Sequence, residues 1–461
     1  MVLNKHMMVL AASAIFIGGS ALAPAKAADI GGGDCCAELD DRIAELESTA
    51  VRKGNRKVSL SVTGFVAREL YIWDDGDLSD AYIVDTSTTL GTHFKFSGKA
   101  QVKPGLEAGF VQHIEVLTSE SIFVDQANDE GRGSRLNTLE AYWFLNSDRF
   151  GRLAVGQQSQ ASDNAAILPD FSGSLVQSNW VLFDGASFFL RPEGGPKGTA
   201  GLETNRIGSL GFCNQIGAGI GADCNGLPTD SVRYDTPAFG GFIFSTSWGE
   251  NDFFDAAIRY SGEWNSVKFK AAAAYSWGGD RGSVDIDSGA ATISSSPDSE
   301  YFQIGAMAMH TPTGLFLYGA YGQETVEDAF IGTGGGTFQA VDDNDHYFVK
   351  AGLRKQWSPM GHTVLYGEYG QYNDAFGGFN CDNTVGGTAI SNACTGGVEI
   401  TGSEIQRIGL GVVQEIDSAA MSVWAKWVQL ESEVEFNDAG AGGKQDYESL
   451  NSFLVGAMIS F

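Results

Sequence analysis

Side chains able to do catalytic chemistry are few and scattered in this sequence. Five histidines follow the N-terminal segment, His93, His113, His310, His346 and His362, and no two stand at metal-ligand spacing. There is no Gly-x-Ser-x-Gly elbow, no phosphate-binding Walker loop and no Cys/His cluster. Asp74-Asp75-Gly76-Asp77 and Asp342-Asp343-Asn344-Asp345 carry oxygen donors suited to Ca2+, but neither completes an EF-hand loop, and both read as solvated loops. No metal and no cofactor is indicated. The chemistry on offer is that of fixed charge. Four acids, Asp163, Asp170, Asp184 and Glu193, fall in one long connection. Seven cations, Arg68, Lys99, Arg152, Arg259, Lys350, Arg354 and Arg407, fall in segments of alternating pattern. Carboxylates facing cations across water make a transverse field that orders water and sorts solutes by size and dipole.

What would position these charges is a set of strands. From Val58 onward the apolar residues recur with period two, as in Val58-Ser59-Leu60-Ser61-Val62 and Tyr347-Phe348-Val349-Lys350-Ala351-Gly352-Leu353-Arg354. In the second, Lys350 and Arg354 share one face. About sixteen such segments are present, near 58–72, 90–102, 106–117, 137–145, 151–158, 231–236, 242–248, 254–260, 265–276, 300–309, 315–322, 346–355, 362–371, 403–415, 421–430 and 452–461. Short turns such as Lys103-Pro104-Gly105 and Ser358-Pro359-Met360-Gly361 alternate with long acidic, Gly-rich connections such as 118–135, 278–299, 325–344, 374–400 and 432–449. In an up-and-down meander alternate connections lie at the same end, so short turns gather at one end and long loops at the other. A sandwich has loops of similar length at both ends, and a β-helix has a fixed repeat that is missing here. The expectation is all-β: a 16-stranded antiparallel transmembrane β-barrel, residues 58–461. Its longest connection, near 159–230, cannot all stand in solvent as structureless chain, so it is expected to fold inward and narrow the lumen.

Composition agrees. The chain has 461 residues, a net charge of −28, 61 Gly, 10 Pro and 11% aromatics, against both disorder and a basic nucleic-acid face. Trp143, Trp264, Phe316, Trp357 and Trp424 near the short-turn ends, with Tyr71, Trp73, Trp248, Trp277, Tyr321, Tyr369 and Tyr372 near the long-loop ends, read as two interfacial girdles. No apolar run long enough for a membrane helix follows residue 27.

Lys5, the apolar Met7–Gly19 stretch and Ala25-Lys26-Ala27 read as a signal peptide cleaved after Ala27. Residues 36–50 carry apolar positions at 36, 39, 43, 46 and 50, an a/d seam of two heptads. This is a short N-terminal periplasmic helix: either an amphipathic helix on a neighbouring surface, or a small coiled coil for oligomerisation. A basic linker, 52–57, follows it. Cys213 with Cys224, and Cys381 with Cys394, span loops and read as disulfide staples in an oxidising compartment. Adjacent Cys35 and Cys36 either join subunits or stay reduced. The last strand alternates Phe453, Val455, Ala457, Ile459 and Phe461. A final strand ending in Phe461 resembles the signal by which outer-membrane proteins are sorted and folded by the barrel assembly machinery.

Cys36-Ala-Glu-Leu-Asp-Asp-Arg-Ile-Ala-Glu-Leu-Glu47, Arg52-Lys-Gly-Asn-Arg-Lys-Val-Ser-Leu60, Trp73-Asp-Asp-Gly76, Glu140-Ala-Tyr142 and Gly151-Arg-Leu-Ala-Val-Gly-Gln157 together resemble the alphaproteobacterial trimeric porin family. The resemblance implies a homotrimeric channel in the bacterial outer membrane, passing small hydrophilic solutes and ions by diffusion. It would sit among lipid and lipopolysaccharide, whose bridging divalent cations outer-loop acids can bind. The alternatives are a solute-selective channel, an outer-membrane barrel enzyme, for which no triad assembles, and a soluble secreted adhesin.

Overall fold

The computed structural model describes residues 57–461, apart from 88, 204, 212–223, 225, 251–252, 279–280, 286–291, 297, 327–329, 334–335, 340–342, 376–382, 386–387, 391–397 and 439–440. The expected signal peptide and the helix at 28–57 lie outside the described residues, save Lys57. So do Cys35, Cys36, Cys213, Cys381 and Cys394.

Sixteen strands form the wall. They are β1 Ser59–Asp74, β2 His93–Lys103, β3 Leu106–Leu117, β4 Arg135–Ser147, β5 Gly151–Gln158, β6 Thr229–Asp235, β7 Phe242–Gly249 and β8 Phe254–Trp264. Then follow β9 Val267–Gly278, β10 Ser299–His310, β11 Leu315–Val326, β12 Asp343–Ser358, β13 Gly361–Asn373, β14 Val398–Ile416, β15 Met421–Asp438 and β16 Leu450–Ser460. Each pairs antiparallel with its sequence neighbours. The ring closes because β1 pairs β2 on one side, Ser59↔Lys99 to Phe65↔His93, and β16 on the other, Phe65↔Ser460 to Asp74↔Asn451. Closure gives every wall strand a hydrogen-bonded neighbour on both sides, which hydrocarbon cannot supply. Among the described residues no helix is long and apolar enough to cross a membrane.

The turns at one end are tight, and their residues explain it. At Asn265-Ser266 both residues hold positive φ, 50° and 64°, as a two-residue hairpin turn demands. Gly314 holds φ +77° where a Cβ would meet the Arg354 carbonyl oxygen at 2.0 Å. At the other end the loops are not structureless. The strand Ser79–Val84 extends the sheet beside β1, and Ala441–Asp446 does so beside β15. Arg281–Asp285 with Thr292–Ser296, Phe330–Thr333 with Gly336–Gln339, and Asn383–Val385 with Thr388–Ile390 form separate hairpins. Short period-two patterns inside these loops, such as Ser283-Val284-Asp285, account for them.

Alternation separates two faces. On β14 the outward Leu410 is 60% exposed while Arg407 and Val413, of opposite parity, are buried. The inner face is more apolar than a wet wall needs. Tyr71, Tyr301, Tyr318, Phe348 and Tyr372 point in and pack with Trp180, Leu182, Phe188 and Leu190 of the connection between β5 and β6. The core of the protein therefore lies inside the barrel, between that connection and one arc of wall. The expected girdles are corrected accordingly. Tyr71, Trp73, Phe316, Tyr372 and Trp424 are buried inward because they hold up this inner layer, whereas Trp143, Trp248, Trp264 and Trp357 are exposed.

Leu410→Arg should destabilise the barrel by about 2–4 kcal/mol, as for a cation near the bilayer midplane. Lys268→Glu, on the exposed inner face, should change stability far less. Urea titration of lipid-reconstituted protein, followed by tryptophan fluorescence, measures both.

Candidate functional site in the barrel lumen

The connection running from Ser159 lies against the inner wall of β7 to β16. Its backbone is held by inward side chains, strand after strand. Asp255 on β8 accepts from the Ser162 N–H at 2.6 Å. Gln303 on β10 donates to the Ser162 carbonyl and accepts from the Ala166 N–H, both at 2.8 Å. Tyr318 donates to the Ala166 carbonyl at 2.7 Å and Tyr372 to the Trp180 carbonyl at 2.6 Å. Gly305 on β10 is needed for this approach, because a Cβ there would meet the Ala166 carbonyl oxygen at 2.1 Å.

Buried ion pairs complete the attachment. Lys350 Nζ lies 2.6 Å from Asp170 Oδ2, and its other donors go to Ser174 Oγ at 3.1 Å and the Ser178 carbonyl at 2.6 Å. All three ammonium protons are thereby used. Arg407 pairs with Glu368 at 2.6 Å and donates to the carbonyls of Asn179 and Val181. Lys426 Nζ lies 2.5 Å from Asp184 Oδ2. Burial works to raise the Asp184 carboxyl, but the Lys426 ammonium outweighs it and holds that carboxyl below its ordinary range.

These contacts correct the expected arrangement of opposed charges. Asp170 and Asp184 do not face cations across open water; they are bonded to the wall. Lys350 and Arg407 are anchors on the same account. Glu193 is exposed at the long-loop end, where its N–H donates to the Asp446 carbonyl. Arg354 is tied to Glu415 by two bonds of 3.0 and 2.9 Å. Arg259 points inward and bonds Ser245 and the Ala161 carbonyl. Arg152 points inward, donates to the Tyr142 hydroxyl and stacks 4.6 Å from the Phe144 ring. Lys99 points inward and is exposed. Arg68 does not point inward. It has the parity of the outward Val66 and Leu70, and pairs with Asp85 while bonding Thr92 and Thr118.

A cavity lies on the far side, towards β2, β3 and β4. It has a volume of about 200 Å3. Lys95, His113 and Glu140 border it from the wall, and Asp163, Asn164 and Leu168 from the connection. Lys95 Nζ stands 2.7 Å from Glu140 Oε2. Asp163 is buried, and burial pushes its carboxyl up to about 7 against the pull of Ser159 and Arg233. Of the four acids expected, Asp163 alone borders this space. Lys95, His113 and Glu140 were missed, although Lys95 has parity opposite to Phe94 and Phe96 and so was legible as inward. Among the described residues no group of three metal-ligating side chains comes together. Cys224 is buried and disulfide-bonded. Phe461 is exposed and exchanges two backbone hydrogen bonds with Gly64.

A closed barrel with an inward connection and a cavity left beside it is a channel architecture, and comparison with known proteins agrees. The Gram-negative porin family profile matches residues 11–414. This chain belongs to the Gram-negative porin family. It is an outer-membrane porin, and the sixteen strands are its passage through the bacterial outer membrane. Among solved structures, an anion-selective porin from Comamonas acidovorans shares 16% identity at a TM-score of 0.50, covering 88% of this chain and 100% of that one. OmpF of Salmonella typhi in complex with daunomycin shares 12% identity at a TM-score of 0.50, covering 88% and 98%. At these identities the likeness is one of fold. A comparison with curated proteins returned no match.

Lys350→Met should leave Asp170 buried and uncompensated, costing about 3–5 kcal/mol of local stability. The expected result is faster protease cleavage between Ser159 and Asp184 and a noisier single-channel current. The double variant Lys350→Met, Asp170→Asn should recover part of the loss.

Proposed function

We propose that this porin passes small hydrophilic solutes and ions by passive diffusion, without catalysis, and that the passage narrows between the connection at 159–211 and the wall of β2 to β4. The observation that carries the reading is the one-sided attachment of that connection. It is bonded to β8, β10, β12 and β14 and leaves the space beside Lys95, His113 and Glu140 open. With a net charge of −28 and two carboxylates bordering the space, a mild cation preference follows. Lys99, Lys268 and Lys270, exposed on the inner face towards the short turns, favour the alternative of anion passage, the preference stated for the Comamonas acidovorans porin.

A homotrimer is the proposed assembly. Arg68 supports it, since a guanidinium on the outward face at mid-strand suits a protein neighbour better than hydrocarbon. The signal peptide ending at Ala27, the helix at 28–57 as a trimerising coil, the Cys213–Cys224 and Cys381–Cys394 staples, and Phe461 as a sorting signal belong to the same proposal. So do lipopolysaccharide contacts and membership of the alphaproteobacterial branch, which the motifs at 36–60 support.

Planar-bilayer recording tests this reading. Conductance should appear in steps of three, and purely unitary steps would refute the trimer. Asp163 should be neutral at pH 5 and charged at pH 8, so the salt-gradient reversal potential should move towards cation preference as pH rises. Asp163→Asn should abolish that shift. The sign for stability is opposite: a carboxyl raised in the fold favours the folded state at low pH and loses that contribution as pH climbs from about 4 to about 7. A reversal potential independent of pH and of Asp163 would place the constriction elsewhere.

A further inference from the structure

The open space beside the connection has two chemically different sides. On the wall, Glu140 Oε2 is ion-paired with Lys95 Nζ at 2.7 Å and has His113 Nδ1 at 3.5 Å. Lys95 is about one-third exposed and lines the space, so its ammonium, with three donors, is accessible to a solute there. His113 Nε2 is buried and has no hydrogen-bond partner among the described residues. From the connection, Ile167, Leu168, Leu175 and Phe183 form an apolar stretch beside the polar Ser159, Asp163, Asn164 and Asn179, and Leu90 and Leu139 also line the space. Leu168 is 53% exposed and lines this space. Neither a purely polar filter nor a sealed core leaves a leucine so placed.

Small-molecule sites join apolar surface to a few placed polar groups, and drug-sized ones occupy about 300–1,000 Å3. The space here, about 200 Å3, is that of a smaller metabolite. A simple anion would meet Glu140, and a simple cation would meet Lys95. An uncharged sugar would leave both ions and the leucines unmatched. A solute carrying both charges on one end and a hydrocarbon body on the other satisfies all three surfaces.

We propose that this space is a transient binding site for small zwitterions with an apolar side chain, the chemistry of apolar α-amino acids. The solute carboxylate is held by Lys95 and the solute ammonium by Glu140, with Asp163 beyond it. Leu168 and Leu175 cover the side chain. This deepens the porin reading and rests on it, because the site is the narrow part of the passage.

The test records ion current through the reconstituted protein while L-leucine, glycine, 4-methylpentanoate or 3-methylbutylamine is added. L-leucine should reduce the current saturably, with a half-effect of about 1–10 mM, as a weak transient site gives. Glycine, with the same charges and no side chain, should need at least about tenfold more, and so should the two singly charged compounds. Leu168→Ser, on the connection, and Lys95→Met, on the wall, should each weaken the leucine effect by about tenfold. Equal effects of leucine and glycine, or a leucine effect untouched by Leu168→Ser, would overturn the proposal while the ion current left the porin reading standing. No ion current at all would overturn both.

Discussion

Backbone hydrogen bonding in hydrocarbon is the constraint from which the rest follows. A strand facing lipid has no water to satisfy its edge, so the sheet must meet itself. Here β1 does this by pairing with β2 and β16 at once. Once the ring is closed, the parity of each residue decides whether its side chain meets lipid or the interior. Leu410 and Arg407 belong to one strand and live in two solvents. The charge pattern, the aromatic layer and the open passage are all consequences of that parity.

A closed ring of sixteen strands is too wide to be filled by its own side chains. The connection after β5 supplies the missing layer. It is fastened by groups that are costly to leave unpaired: Lys350 with Asp170, Lys426 with Asp184, Arg407 with Glu368. Such pairs add little to net stability beside apolar residues of the same shape, but breaking one leaves a bare buried charge. That penalty selects one placement of the connection among many. The aromatic residues from Tyr301 to Tyr372 then seal the contact and exclude water from the pairs.

The wall was legible because period two is a local property of sequence, and all sixteen expected segments coincide with strands of the ring. The parity of Arg68 was legible as well. It matches Leu60, Val62 and Val66, so its outward position follows from β1 alone. The ion pairs were not legible. Lys350 and Asp170 are 180 residues apart in sequence, and an inward cation looks the same whether it lines water or anchors a loop. The inward aromatics misled for a related reason. Tyr71 and Trp424 sit near strand ends, as girdle residues do, and only the presence of an inner layer makes burial favourable for them. The hairpins within the long loops were hidden by their Gly-rich, acidic composition, although Val284 and Ile293 mark one of them.

The one-sided attachment makes the barrel mechanically lopsided. From β7 to β16 the wall is backed by a second layer tied to it, and a deformation there must strain aromatic packing and salt bridges together. From β2 to β4 the wall is a single sheet with the cavity behind it. The thin arc, which borders the cavity beside Lys95, His113 and Glu140, is therefore the part of the wall least braced from within.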